Sequence, residues 1–307
     1  MLATSATGQQ ISLNSLYTFD EIVINPAIAG SKNYTPVNFT FRRQWFGIES
    51  APVTQMLSMH TYVGSNLGLG GFIFNDVTGP TRRTGVNFSA AYHLRLTSDY
   101  SHTLSFGIAA VLFQHIYQKD KLITDIPNDI AIQRLSSNEL VPDANFGVYY
   151  YYKEKAYLGL TAQNLVQSRV DLFNVKYKIL NPIERSYYLS GGYDFSLGKD
   201  FTLKPSFLLR AMEHTPMQFD ITAKLLLKQM FWVGASYRNK DAIVGMLGLT
   251  INKFSLGYAY DLPLSDLKHY SSGSHEICLG YYFANESDKK RKNIPWNKRN
   301  RLFTPMY

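Results

Sequence analysis

The chain has 307 residues, a single cysteine and a formal net charge of +8, and it is rich in tyrosine and phenylalanine. One cysteine excludes an internal disulfide and a cysteine-based metal cluster. Its apolar runs are far shorter than the roughly 18 residues that a transmembrane helix needs, which excludes a helical membrane protein. The many aromatic residues are instead typical of the two interfaces of a membrane β-barrel.

The amino-terminal part, residues 1–35, is predicted to be a periplasmic or plug segment. Residues 1–8 resemble the small-residue end of a secretory signal. Leu16–Gly30 lacks the alternation of a strand, and its Asn25-Pro26 pair favours a turn followed by small residues. We therefore expect this segment to line or plug a lumen, or to cap its periplasmic mouth.

Residues 36–284 have the pattern of an all-β fold, a transmembrane outer-membrane β-barrel. In the stretch 231–238, large apolar residues alternate with Trp232, Gly234, Ser236 and Arg238. A period of two places the first set toward lipid and the second toward a wet lumen. Alternation of this kind indicates about 14 antiparallel strands, an even number as in other single-chain bacterial barrels. They are predicted near residues 37–45, 54–63, 67–75, 84–96, 103–118, 144–152, 157–166, 185–197, 201–210, 218–227, 231–239, 242–251, 254–260 and 275–283.

The connections between these strands agree with a barrel. Short turns such as Gly64-Ser65-Asn66 and Asn252-Lys253 follow even-numbered strands, whereas the long segments Lys119–Asp143, Gln167–Glu184 and Asp261–Ser274 follow odd-numbered ones. Barrels of this class have short periplasmic turns and longer outer loops. The pattern predicts an integral outer-membrane protein with both termini in the periplasm.

Most of the net charge lies in the tail, residues 285–307. The tail has seven Lys or Arg against two Asp or Glu, which is +5 of the total +8. The rest of the chain is nearly balanced, which argues against a nucleic-acid partner. Trp296, Phe303 and Tyr307, together with two prolines, favour docking of the tail in a groove, although a solvated basic tail is the alternative.

A series of short motifs occupies the first 80 residues in a fixed order. They are Asn25-Pro26-Ala27, Ala29-Gly30, Arg43-Gln44-Trp45, Ala51-Pro52, His60, Gly68-Leu69-Gly70, Asn75-Asp76 and Gly79-Pro80. Their order and spacing resemble the PorP/SprF family, outer-membrane proteins of the type IX secretion and gliding systems of Bacteroidetes. The basic tail from Asn285 onward has no match in that signature.

The resemblance implies a non-enzymatic barrel that binds a secreted adhesin or cargo through a type IX C-terminal domain. Binding would serve export or surface anchoring. The resemblance also implies contacts with periplasmic or lipoprotein components of the secretion or gliding motor. The barrel pattern itself adds outer-membrane lipid as a partner.

Eight residues are candidates for partner binding. They are Arg43, Trp45, Asp76, Tyr117, Trp296, Arg299, Phe303 and Tyr307. Arg43 is expected to project into the lumen, either in a cargo-holding cluster or as a charge paired with a carboxylate. Asn75-Asp76 with Gly79-Pro80 is interpreted as a calcium-binding or partner-facing loop, or simply as a turn.

The sequence offers no pattern for catalysis, a cofactor or a metal site. It has no Gly-x-Ser-x-Gly elbow, and its seven histidines show no ligand-like spacing. Gly68-Leu69-Gly70-Gly71 lacks the third glycine of a dinucleotide fingerprint, so it is interpreted as barrel curvature or close approach of a plug.

The alternative function is a pore or transporter for a small solute. Such a channel needs an open polar bore. The inward faces instead carry bulky residues, namely Phe113, Tyr188, Trp232 and Tyr282. Leu16–Gly30 is free to block the remaining space, which favours the secretion hypothesis.

Overall fold

The computed structural model describes residues 13–99, 101–118, 138–153, 155–167, 169–171, 180–182, 184–213 and 215–284. Strands dominate this part of the chain. They are β1 (Tyr34–Arg43), β2 (Val53–Gly64), β3 (Leu67–Thr78), β4 (Thr81–Arg95), β5 (His102–Tyr117), β6 (Asn138–Tyr152), β7 (Ala156–Gln163), β8 (Arg169–Asp171), β9 (Leu180–Pro182), β10 (Ser186–Tyr193), β11 (Phe195–Leu197), β12 (Phe201–Met212), β13 (Gln218–Leu227), β14 (Phe231–Arg238), β15 (Ala242–Ile251), β16 (Phe254–Pro263) and β17 (Ser274–Ala284). Short 3-10 helices lie at Glu21–Val23, Pro26–Ile28 and Asp266–His269.

The strands close into an antiparallel barrel. One sheet contains 15 strands, in which β1 pairs with β17 and β10 pairs with both β7 and β12. Because β10 and β11 both pair with β12 and are separated only by Asp194, they occupy one position of the wall. The wall therefore has 14 strand positions, which confirms the predicted number. The pair β8 and β9 forms a separate hairpin in the loop that follows β7.

The wall residues alternate between lumen and lipid as predicted. In β17, Glu276 and Cys278 are fully buried, whereas Ile277 and Leu279 are about half exposed on the outside. In β13, the inward-facing Leu226 is buried as well. Burial of polar groups on the inner face is possible because they bond to one another and to an internal segment described below.

The two ends of the barrel differ in their connections. At one end, here the turn end, strands are joined by short turns such as Ser65-Asn66, whose φ angles of 50° and 64° are those of a type I′ hairpin. The other end, here the loop end, has the longer connections, including residues 44–52, 118–137, 164–185 and 264–273. The longest connections thus all lie at one end, as predicted, although residues 79–80 and 239–241 form short turns at that same end.

The outward face of β5 shows the height of the apolar band. Its outward residues are apolar from Leu104 to Leu112, and His102 and Gln114 flank them. The eight steps from Leu104 to Leu112, at about 3.3 Å each, span about 26 Å along the strand, or about 20 Å along the membrane normal at a tilt of about 40°. That is close to the apolar band of about 25 Å in outer-membrane barrels. Within the described residues, no helix is long and apolar enough to span a bilayer.

Candidate functional site: a lumenal plug and the loop end

A segment from Leu13 to Ser31, which we call the plug, lies inside the barrel. Its larger side chains are buried, with Leu16, Ile22 and Ile28 each at 3 % exposure or less. The segment turns twice through the 3-10 helices and then leads into β1. Of the three arrangements that the sequence left open, the structure therefore has the segment inside the lumen.

The plug runs from the loop end to the turn end. Ser15 lies beside the loop-end residues of β1, β16 and β17, whereas Gly30 lies beside Tyr62 and Gly68 at the turn end. The described part of the plug therefore begins at the loop end, whereas the sequence analysis predicted both chain ends on the turn side. β17 does end on that side, and the termini themselves lie outside the described residues.

The plug packs closely against inward-facing glycines of the wall. A β-carbon on Gly107 of β5 would collide with the backbone of Ala27, and one on Gly68 of β3 would collide with the carbonyl group of Ala29. Only glycine at these two positions allows the wall and plug backbones to approach so closely. This confirms the interpretation of the glycine-rich stretch in β3 as a place where a plug approaches closely.

Asn25 ties the middle of the plug to two wall strands. Its side-chain Oδ1 accepts a hydrogen bond of 2.9 Å from the backbone N–H of Ala27, which caps the second 3-10 helix. Its Nδ2 donates to the carbonyl oxygens of Val148 and Leu160 at 3.0 and 3.4 Å. Asn25 itself is buried, so an apolar residue at position 25 would remove all three hydrogen bonds.

The loop-end part of the plug is bound by a buried ionic group. We call this group the anchor cluster, and it comprises Ser15, Arg42, Asp220, Arg238, Asp261 and Glu276. The guanidinium of Arg42 contacts Asp261 at 2.7 Å and Glu276 at 2.8 Å. Glu276 also accepts the backbone N–H groups of Ser15 and Leu16 at 2.7 and 3.0 Å. Charge-assisted bonds of this kind are the stronger class of hydrogen bond.

A second arginine completes the anchor cluster. Arg238 contacts Asp220 at 3.0 Å and Asp261 at 3.5 Å, and its Nη2 donates to the Ser15 hydroxyl at 3.4 Å. Ser15 in turn donates from its hydroxyl to Asp261 at 2.7 Å. One plug side chain is thereby bonded to both arginines and to one of the carboxylates. Most polar atoms of the cluster are paired in this way, although Nε of Arg42 and Oδ1 of Asp261 are buried without a hydrogen-bond partner among the residues that the structure describes.

Asp20 is a buried carboxylate in the centre of the plug. The Ser58 hydroxyl lies 2.7 Å from both of its oxygens and shares its one proton between them, and Asn38 donates to one of them at 3.3 Å. Among the described residues, no Lys or Arg nitrogen lies within ion-pair distance of this carboxylate. Two neutral side chains therefore stabilise a charge that burial disfavours.

Because that charge lacks a cation, Asp20→Asn is expected to leave the free energy of unfolding at neutral pH unchanged or to raise it by up to about 1 kcal/mol. Asp20→Leu should instead lower it by about 1 to 3 kcal/mol, since Ser58 and Asn38 lose their acceptor. Urea unfolding of the purified barrel in detergent measures both. A loss above 2 kcal/mol in the asparagine variant would mean that the negative charge itself is needed.

Two histidines hold the turn-end part of the plug. The backbone N–H of Gly30 donates to Nδ1 of His60 at 3.2 Å, which requires that nitrogen to be unprotonated. Nε2 of His93 is 2.9 Å from the carbonyl oxygen of Ala29 and therefore carries a proton. Ser105 completes the arrangement by a hydrogen bond of 2.6 Å to Nδ1 of His93. The plug is thus fixed at both ends and in the middle.

At the loop end, the connections after β1 and β16 are hydrogen-bonded to each other, and we call this pair of connections the loop-end corner. The backbone N–H of Phe46 donates to Gly273 at 2.7 Å, and Ser272 donates back to Phe46 at 2.9 Å. Next to this pairing, Tyr270 is 74 % exposed and Trp45 is partly exposed. The backbone pairing fixes the position of this part of the chain, and its exposed aromatic rings are of the type that dominates partner binding.

The structure places two of the predicted site residues differently from the expectation. Arg43 does not enter the lumen: it is exposed on the outer face, with its guanidinium 4.8 Å from the ring centre of Phe46. Its neighbour Arg42 is the lumenal charge, because Asn38 and Thr40 set the inward positions of β1. The alternative that a lumenal arginine pairs with a carboxylate therefore applies to Arg42.

Asp76 does not form a calcium-binding or partner-facing loop. It lies within β3, is 3 % exposed, and is bonded to Thr54 at 2.7 Å and to Arg83 at 2.9 Å. Gly79 and Pro80 form the turn between β3 and β4, as the simpler interpretation has it. The described residues contain no group of side chains that could hold a metal ion.

The remaining candidate residues are not brought together by the described structure. Trp45 lies in the loop-end corner, and Tyr117 is the last residue of β5. Trp296, Arg299, Phe303 and Tyr307 fall outside the described residues. Sequence reasoning missed the anchor cluster, although charged residues at inward positions near the loop end of several strands were its available signal.

A closed barrel with an apolar outer band and an internal plug defines the class of the protein, which is an outer-membrane β-barrel. The sequence profile of the type IX secretion system membrane protein PorP/SprF matches residues 6–281. The chain belongs to this family. It is therefore an outer-membrane barrel of a secretion machinery, and its family and fold are not those of a known enzyme class.

Solved structures resemble the chain in fold alone. The toluene transporter TbuX of Ralstonia pickettii superposes with a TM-score of 0.52 at 10% identity, over 86% of this chain and 93% of that one. A mutant of the monoaromatic hydrocarbon channel TodX gives 0.51 at 8% identity, over 86% and 94%. No curated protein sequence matches the chain.

Proposed function

We propose that this barrel binds the type IX C-terminal domain of a secreted protein at its loop end, for export or for anchoring at the cell surface. The turn end would face the periplasm and contact components of the secretion or gliding motor. The plug is the observation that carries this proposal over solute transport. Its contacts are distributed around the wall, from Arg42 in β1 to Asn25 beside β6 and β7 and Tyr17 beside β13.

The energetics of the anchor cluster also oppose transport through the lumen. Withdrawing the plug would remove the Ser15 hydroxyl and two backbone N–H groups from Asp261 and Glu276, which are almost fully buried. Buried carboxylates that lose such donors are strongly destabilised. A plug held in this way favours recognition on a closed barrel, without chemistry.

The partner contacts that we propose lie on the loop end. Trp45 and Tyr270 would supply aromatic anchors, and Tyr117 at the end of β5, with the connections after β5 and β7, would supply further contact area. A β-rich terminal domain can bind such a surface by burial of aromatic rings and by addition of a strand.

The tail would make the periplasmic contact. Arg299 supplies positive charge, and Trp296, Phe303 and Tyr307 supply aromatic groups. A segment of this composition fits an acidic groove on a motor component or lipoprotein.

The test is to purify the full-length protein from native outer membrane and to quantify the co-purifying proteins by mass spectrometry. The double variant Trp45→Ser/Tyr270→Ser is expected to lose the secreted protein by roughly tenfold or more, because aromatic anchors dominate such interfaces. Truncation after Asn285 should lose the motor components but keep the secreted protein.

The matched control is Phe254→Ser, which removes an exposed ring at the turn end. This variant should retain the secreted protein at the level of the unchanged chain. The proposal is contradicted if the secreted protein is absent from the unchanged chain, or if the loop-end and turn-end variants lose it equally.

A further inference from the structure

The outward face of β2 to β5 carries a continuous polar row near the loop end of these strands. The row below it, in hydrogen-bonded register, is apolar and consists of Leu57, Ile73, Val86 and Leu112. The next outward row toward the loop end consists of Gln55, Asn75, Thr84 and Gln114. Four adjacent strands thus carry side chains that suit lipid headgroups directly above side chains that suit acyl chains.

Hydrogen bonds within the polar row fix its orientation. Asn75 donates from its Nδ2 to Gln55 at 3.3 Å, and its Oδ1 accepts from the Thr84 hydroxyl at 3.0 Å. The same oxygen accepts from Nε of Arg82 at 2.8 Å. Arg82 is thereby held against the row although it is exposed to solvent.

A second exposed arginine lies in the same outward row as Arg82, and the other members of that row are the apolar residues Val53, Val77 and Ile116. Arg43 of β1 pairs with Val53, Val53 pairs with Val77, and Val77 pairs with Arg82. Three strand spacings of about 4.8 Å separate the two arginines by about 14 Å. Neither this row nor the one below it on β1 to β5 contains an Asp or Glu among these outward residues.

The opposite flank of the barrel lacks such a surface. There the outward residues stay apolar almost to the loop end of the strands, and they are about half exposed. They are Ile221, Tyr237, Ile243 and Leu262. The polar row and the two arginines therefore distinguish the loop-end face of β1 to β5 from that of β13 to β16.

We propose that the outward loop-end face of β1 to β5 binds the phosphorylated headgroup of a glycolipid in the outer leaflet. Arg43 and Arg82 would contact phosphate oxygens, for which the guanidinium geometry is well suited. Gln55, Asn75 and Thr84 would face sugar hydroxyls, and the apolar row beneath would contact the acyl chains. The occupant follows from charge complementarity and from the continuity of this face with the lipid-contacting band.

The experiment compares the unchanged protein with the double variant Arg43→Gln/Arg82→Gln in nanodiscs of phosphatidylethanolamine that contain bisphosphorylated lipid A. Native mass spectrometry counts the lipid A molecules that stay bound. The variant is expected to bind lipid A more weakly by roughly tenfold for each lost arginine contact. Dephosphorylated lipid A should bind the unchanged protein as weakly as the variant binds the phosphorylated form.

Lys240→Gln is the matched control, because it removes one exposed positive charge at the loop end on the opposite flank. It should bind lipid A as the unchanged protein does. Equal binding by the unchanged protein and the double variant would overturn the proposal. So would equal loss in Lys240→Gln, or loss of an acidic secreted protein from the double variant with lipid A retained.

Discussion

Arg42→Met is expected to lower the free energy of unfolding by about 3 to 5 kcal/mol, because removal of one partner from a buried ionic group leaves the other charges uncompensated. Arg42 is 1 % exposed and neutralises Asp261 and Glu276, which also hold the plug at Ser15 and Leu16. The midpoint of urea unfolding in detergent measures this loss.

The adjacent residue provides the control for that experiment. Arg43→Gln removes the same charge one position along β1, but on the outer face, so its free energy of unfolding should change by less than about 0.5 kcal/mol. Cys278 gives a second readout, since it is fully buried beside Leu16. A small maleimide should label it faster in Arg42→Met than in Arg43→Gln. Equal unfolding midpoints for the two variants would refute the importance assigned to the anchor cluster.

Gly107→Leu is expected to displace the plug from its position against β5 while leaving the wall intact. A side chain at this inward position meets the backbone of Ala27 and Pro26, which cannot rotate away as a flexible side chain can. Overpacking of this kind costs about 1 to 3 kcal/mol. Amide hydrogen exchange in the plug should therefore accelerate about 10- to 100-fold.

Hydrogen exchange followed by mass spectrometry makes this measurement peptide by peptide. Gly245→Ala is the matched control, because a β-carbon at Gly245 has no atom within 4 Å. In that variant the plug should exchange as slowly as in the unchanged protein. If amide hydrogen exchange in the plug is also unchanged in Gly107→Leu, close packing against the wall glycines does not determine the position of the plug.

Most of the wall was predictable from the sequence because each strand shows its own alternation of apolar and polar residues. The errors have local causes. β6 begins at Asn138, six residues before the predicted start, because Pro142 interrupts the strand pattern. The predicted strand 185–197 is divided at Asp194, and the hairpin of β8 and β9 was missed within a segment interpreted as a loop.

The site was less predictable because it depends on contacts between distant residues. Two arginines stand side by side at positions 42 and 43, and the one that was predicted to be lumenal faces outward. The apolar positions Phe39 and Phe41 contained the information needed to choose correctly, since Arg43 shares their face. The path of the plug had no such signal, because its 3-10 helices are three residues long and too short to show a period. Its hydrogen bonds also reach residues more than 200 positions away.

Ion conductance of the purified full-length protein in a planar bilayer tests most directly whether this barrel recognises a partner or transports a solute. Because the plug packs against Gly107 and is bound through Ser15, we expect no steady conductance above that of the bare bilayer. Stable channels of uniform conductance in the unchanged protein would contradict recognition on a closed barrel and would support a solute pore.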